Sequence, residues 1–179
     1  MKVSSFKEDL AFSHAQADRP WWAEVYTEAF RGFKCLVDVR EDCPMQRGGV
    51  DRIVHIEGGK MFAVDEKVRR KDWPDILLEV WSDRKKHTRG WICKPLICDY
   101  IAYAFAPSGR CYLLPVQQLQ RAWRLHGERW WREKRHIYSD NWGYVTESVA
   151  VETPELLDAV RDAFFVQGEP GVAIPTEDD

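Results

Sequence analysis

A surplus of positive charge is the first thing the sequence lacks. Its 179 residues carry 26 Lys and Arg against 29 Asp and Glu, a formal net charge of -3. A protein that coats nucleic acid without regard to sequence needs such a surplus, so that class is disfavoured, while a local basic groove remains open. Long apolar runs are missing as well. None approaches the roughly 18 residues of a membrane span, and the opening MKVSSFKEDLAFSHAQ has no apolar stretch of the signal-peptide kind. A cytoplasmic protein without membrane contact is expected. Cysteine is present but unpatterned: Cys35, Cys43, Cys93, Cys98 and Cys111 form no CxxC pair. Cys93 and Cys98 are poorly spaced for zinc, and no His pair completes a site, so reduced thiols are expected. GxSxG, Walker, dinucleotide-binding and HExxH patterns are all absent. The five His (His14, His55, His87, His126, His136) are scattered, and there is no internal repeat.

Aromatics, by contrast, make up 13% of the chain, with nine Trp, and the apolar fraction is 45%. A chain of this length buries roughly 70% of its unfolded surface and needs no covalent staples. Its length fits one domain, or one domain with a decorated tail. Charge is unevenly spread. Lys67, Arg69, Arg70, Lys71, Arg84, Lys85, Lys86, Arg89 and Lys94 make the middle basic. A second basic segment runs from Arg121 to Arg135, and acids dominate from Glu147 to Asp179. Each run also suits a plain solvated surface.

The order of elements reads as helix, strands, then strands mixed with helices. Asp18 as cap and Pro20 near the first turn precede WWAEVYTEAFRGF, with Trp22, Val25, Ala29 and Phe33 on one stripe. KCLVDVR reads as extended and EDCPMQRGG as a loop. VDRIVHI and MFAVDEKV read as a hairpin around the EGGK turn. DILLEVWSD is rich in apolar residues, as a central strand would be. DYIAYAF and RCYLLPV are further strands, and VQQLQRAWRLHGERWWREKR is a helix with Leu119, Trp123, Trp130 and Trp131 on one side, where Gly127 can break or bend it. TPELLDAVRDAFF is a helix with Thr153 as cap and Pro154 as its first residue. The pattern predicts an α/β domain with a central mixed β-sheet flanked by helices.

Chemistry concentrates in the hairpin. Asp51 opens one strand, and Asp65 and Lys67 lie two apart on the next, so they share a face while Glu66 points to the other. A tight hairpin brings Asp51 near that pair. Two neighbouring carboxylates repel unless a cation sits between them. Mg²⁺ or Mn²⁺ answers that need with hard oxygen ligands, since one or two carboxylates suffice. Such an ion polarises a phosphoryl oxygen and acidifies bound water, and a Lys beside it can orient or deprotonate that water or offset charge on phosphorus. The alternative is a surface hairpin with an Asp65–Lys67 salt bridge of little worth.

Asp51 on one strand followed by Asp65-Glu66-Lys67 on the next resembles the PD-(D/E)xK nuclease superfamily, over about residues 20–115. The DEKVR and GW segments also look like those of uncharacterised phage- or prophage-type proteins. The resemblance implies a restriction-endonuclease-like core of a helix, three strands, a helix and a further strand, over about 18–116. A C-terminal helical extension over about 117–170 and a short acidic tail, 171–179, would complete a single domain. It further implies metal-dependent hydrolysis of phosphodiester bonds, foremost in DNA, and allows a homodimer. Asp51 and Asp65 would hold the metal and Lys67 would act in catalysis. Many members add a Glu from the first helix; Glu28, or else Glu24, is the candidate here. Two departures stand out: Val50 where the pattern has Pro, and strand-like ILLEV where a helix belongs.

Other residues carry two readings each. Glu79, in an apolar strand where a lone carboxylate is costly, is a further metal or water ligand, or else faces solvent or pairs with Arg69 or Lys94. Gln46 is a substrate contact or an ordinary loop residue, and His55 a secondary ligand or a packed His. Arg69, Arg70, Lys85, Lys86 and Arg89 suit phosphate contacts, with Trp91 for base stacking, against a solvated face and a core Trp. Two rival functions stand beside the nuclease: a non-catalytic nucleic-acid- or protein-binding module on the same fold, and an interaction protein whose acidic C-terminal third meets a basic partner.

Overall fold

A computed structural model describes residues 20–141 and 143–167. Asp18 and the acidic tail 171–179 lie outside the described residues. The chain opens with helix α1 (Trp21–Ala29) and strand β1 (Phe33–Asp38), followed by a short helix α2 (Cys43–Arg47). Strands β2 (Arg52–Ile56) and β3 (Met61–Arg69) come next, then β4 (Asp75–Asp83) and β5 (Thr88–Arg89). After them run β6 (Tyr100–Phe105), β7 (Arg110–Pro115), α3 (Val116–Glu133), β8 (Arg135–Asn141), β9 (Tyr144–Glu152) and α4 (Thr153–Asp162).

Two sheets result, so the fold is α/β with a mixed sheet flanked by helices, as expected, plus a second sheet. The first has the order β1-β2-β3-β6-β7. Only β3 and β6 run parallel in it. The second, β5-β4-β9-β8, is antiparallel throughout. The β2–β3 hairpin turns through Gly58 and Gly59, both at positive φ, a conformation open to glycine without steric cost.

Each face of the mixed sheet has its own apolar layer. Trp22 and Tyr26 of α1 pack on Val54, Val64, Ala102 and Ala104. Ile101, Tyr103 and Phe105 point the other way, into a cluster with Ile76 and Leu78 of β4, Val149 and Val151 of β9, Trp130 of α3 and Leu156 of α4. Tyr103 ties the two sheets, its hydroxyl oxygen accepting from Arg69 Nη1 (2.8 Å) and from the Leu77 amide (3.0 Å).

Several local expectations need correction. The buried positions of α1 are Trp22 and Tyr26; Ala29 is exposed, and Phe33 already belongs to β1, because the helix ends at Ala29. The EDCPMQRGG loop holds helix α2, with the Asp42 carboxylate accepting the Met45 amide at its start. Thr153 is a helical residue and Glu152 takes the cap position of α4, without a side-chain bond. Gly127 neither breaks nor ends α3. β4 does not enter the mixed sheet: it sits between β5 and β9 in the second. The β8–β9 hairpin was not anticipated at all.

Candidate active site at the β2–β3 hairpin

Main-chain bonds bring Asp51 to Asp65. The Asp51 amide donates to the Val64 carbonyl (2.9 Å), and its Oδ2 accepts the Glu66 amide (2.9 Å). Alternation on β3 sends Val64 and Glu66 toward α1, and Asp65 and Lys67 toward the second sheet. Asp65 is only 3% exposed. Lys67 Nζ lies 2.5 Å from Asp65 Oδ1, with a third of its side chain open to solvent. The wall beside them is tight: Gly49 has φ +76°, and a Cβ there would stand 2.7 Å from Leu96 Cδ2. Cys98 borders the group, its thiol pushed up to about 12 by burial and by the nearby Asp65 charge.

Electrostatics follow from that crowding. Burial pushes the Asp65 carboxyl up to about 6; Lys67 opposes the rise, while repulsion from Asp51 and a hydrogen bond shared with it add to it. Burial alone would lower the Lys67 ammonium, but Asp65, Asp51 and Glu79 together hold it above its ordinary value. Glu79 therefore reaches this group from the other sheet. Its own carboxyl is raised by burial, against Lys67, the Trp91 amide and Lys94, which favour the charged form. Of the two cations anticipated for Glu79, Lys94 acts on it through its charge, while Arg69 bonds Tyr103 and lies near Asp75.

The structure does not bring the helix acids to this group. Glu24 and Glu28 are exposed on α1, which packs on the opposite face of the sheet. The acid on that face is Glu66, with Tyr26 donating to its Oε1 (3.0 Å) and Arg52 Nε 3.5 Å from its Oε2. Burial raises Glu66 to about 7, against the pull of Arg52 and the Tyr26 bond. Trp91 is a core residue of the second apolar cluster and is not free to stack a base. Arg69 is likewise engaged inside, bonded to Tyr103 and 4.0 Å from Asp75, because β3 ends against β4 there. Arg70, Lys85, Lys86 and Arg89 are exposed, and so is Gln46. The turn carrying Lys85 and Lys86 is held by Asp83, whose Oδ1 accepts both amides. His55 sits near the far end of β2, paired with Met61, away from Asp51.

A divalent ion suits this donor set. Asp51 and Asp65 are two hard carboxylates that share a hydrogen bond in its place, and Mg²⁺ needs no more than one or two such ligands besides water. Among the described residues no three His, Cys, Asp or Glu side chains are gathered as a ligand group. Glu79 is thus tied to the pair through Lys67. Cys98 was missed as a neighbour of the site, because its place depends on how the 91–99 segment folds back. Compared with known proteins, the chain matches no family model, no curated protein and no solved structure.

Proposed function

We propose that the protein is a metal-dependent nuclease that hydrolyses phosphodiester bonds, foremost in DNA. The observation that carries this reading is the buried Asp65 carboxylate beside the half-buried Asp51, with Lys67 on the same face. Holding a buried carboxylate next to a second one is costly unless they serve a cation. The antiparallel β1-β2-β3 unit followed by a strand parallel to β3 also agrees with the helix, three strands and further strand of the PD-(D/E)xK resemblance. Where that resemblance has a helix, this chain has β4, whose Glu79 charge acts on Lys67.

Asp51 and Asp65 would hold the ion. When bound it supplies a polarised phosphoryl oxygen and an acidified water. Lys67, kept protonated by its three acids, donates rather than accepts, so it orients the water and offsets charge as oxygen adds to phosphorus. The entering water passes a proton to solvent as its oxygen bonds to phosphorus, the P–O bond opposite it breaks, and the leaving oxygen takes a proton from solvent.

A panel of linear and circular duplexes, single strands, branched DNA and RNA, incubated with Mg²⁺, Mn²⁺ or chelator, tests the reading. Metal-dependent cutting that disappears in Asp65→Ala and Lys67→Ala supports it; cutting that persists in both variants removes it. One observation favours a second reading, a non-catalytic nucleic-acid-binding module: Lys67 Nζ, 2.5 Å from Asp65 Oδ1, itself balances that carboxylate's charge. Nucleic-acid binding without cutting under any metal would select it.

A further inference from the structure

A cleft of about 620 Å³ opens along β4 just past Glu79, within the size range of ligand sites. Three separate segments build it. β4 and β5 contribute Trp81 and Arg89, which are register partners. The segment after Gly90 contributes Lys94. Helix α3 contributes Gln120, Trp123 and Arg124, three and four residues apart and so on one helical face.

The walls carry two indoles and three cations, and among the described residues no carboxylate lines them. In a chain of net charge -3 that is a local reversal of sign. Trp123 is also held in place. A Cβ on Gly127 would stand 2.8 Å from its ring, so the bare helix surface at Gly127 lets the indole lie against α3. Cys93 lines the same cleft. Gln120 Nε2 donates to the Lys94 carbonyl (2.8 Å), fixing the segment that carries the third cation. Lys94 also acts on Glu79, so the cleft and the candidate active site share a border.

Fixed aromatic faces beside cations are what an unpaired strand needs: bases to stack, phosphates to neutralise. We propose that this cleft binds single-stranded nucleic acid, with bases stacking on Trp81 and Trp123 and phosphates meeting Arg89, Lys94 and Arg124. Taken with the nuclease reading, on which this step rests, it makes an unpaired strand the substrate class delivered to Asp65 and Lys67. A paired base hides both its faces within the helical stack, so duplex gains only the phosphate contacts.

Fluorescence anisotropy with the full chain in chelator tests the cleft apart from the chemistry. The probes are labelled oligothymidylate and oligouridylate of about 20 nucleotides and a duplex of equal length. Single strands should bind more tightly than duplex, and the better of the two names the sugar preferred. Trp123→Ala and, separately, Arg124→Glu should each weaken single-strand binding about tenfold. Arg124 is exposed, so that variant keeps the test valid if Trp123→Ala fails to fold. Unchanged binding in folded cleft variants, equal binding of duplex, or no binding of either single strand overturns the proposal. Cleft-dependent binding without cutting under any metal would remove the nuclease reading alone; cutting without single-strand binding would remove the cleft alone.

Discussion

Gly90 lies so close to β4 that a Cβ on it would stand 2.2 Å from the carbonyl oxygen of Glu79. The approach is cemented by the Gly90 amide, which donates to the Val80 carbonyl (2.7 Å). It also sets the Trp91 amide where it can bond the Glu79 carboxylate. Gly90→Ala must push the two segments apart. An overpacking cost of about 1–3 kcal/mol is expected, with Tm falling accordingly. Because Glu79 moves with it, any metal-dependent activity should fall by more than the loss of folded protein explains. Unchanged Tm in thermal melts would show that the contact yields without effect.

Asp65 gives the metal-free protein a pH signature. Its folded value, about 6, lies above its unfolded value near 3.8. Its contribution to stability is therefore complete below the unfolded value and is lost as pH rises through about 6. Glu66, at about 7 against 4.5, acts in the same direction. Tm in chelator should fall between about pH 4 and 7, and Asp65→Asn should flatten the part of that fall below about pH 6. A variant with the same slope as the parent would place the titration elsewhere.

Metal should reverse that trend. An ion held by Asp51 and Asp65 must displace the proton they share, so binding competes with protonation. The rise in Tm caused by Mg²⁺ should be small at pH 5, grow through pH 6 and be absent in Asp65→Asn. Equal Mg²⁺ stabilisation at pH 5 and 7.5 counts against these ligands.

His136 bridges two groups that both accept: Glu147 Oε1 is 2.7 Å from Nδ1, and the Trp131 carbonyl is 2.7 Å from Nε2. Only the imidazolium donates at both nitrogens. Burial alone would lower its value, but the Glu147 bond, the Trp131 carbonyl and the Glu147 charge raise it. Its stabilisation is present below pH 6.5 and is lost as pH rises through the higher folded value. A ring-nitrogen NMR titration should give His136 a value above 6.5; a lower one contradicts the geometry.

Trp130 is fully buried and its Nε1 donates to Glu155 Oε1 (2.8 Å), joining α3 to α4. Trp130→Ala should cost about 3–5 kcal/mol, and Trp130→Phe less, since it empties a smaller volume and Glu155 Oε1 keeps the Arg129 guanidinium as donor. Urea denaturation measures both; equal losses would mean that the hydrogen bond, not the packing, dominates.

Period-two and period-3.6 patterns made much of the fold legible. The β2–β3 hairpin, β4, β6, β7, α3 and α4 are all visible as alternation, turn glycines or helical stripes. Asp51, Asp65 and Lys67 were legible for the same reason, because side-chain alternation and one short turn settle their meeting. What the sequence hides is which sheet a strand joins. ILLEV looks like a central strand, and it is one, but of a sheet completed by the unread YVTESVAVE. The third acid was sought on α1 because the resemblance put it there. Trp22 and Tyr26 instead turn α1 onto the other face, and that choice depends on the packing of Val54, Val64, Ala102 and Ala104 from three strands at once.

The pairing of β4 with β9, in which Glu79 faces Ser148, has a consequence during synthesis. About 60 residues of chain separate the two strands, so closing that loop is slow compared with zipping a hairpin. A ribosome delivers Asp51, Asp65 and Lys67 early, yet Glu79 gains its neighbouring strand only when β9 has emerged. Until then the nascent chain carries its acids without the frame that aligns them.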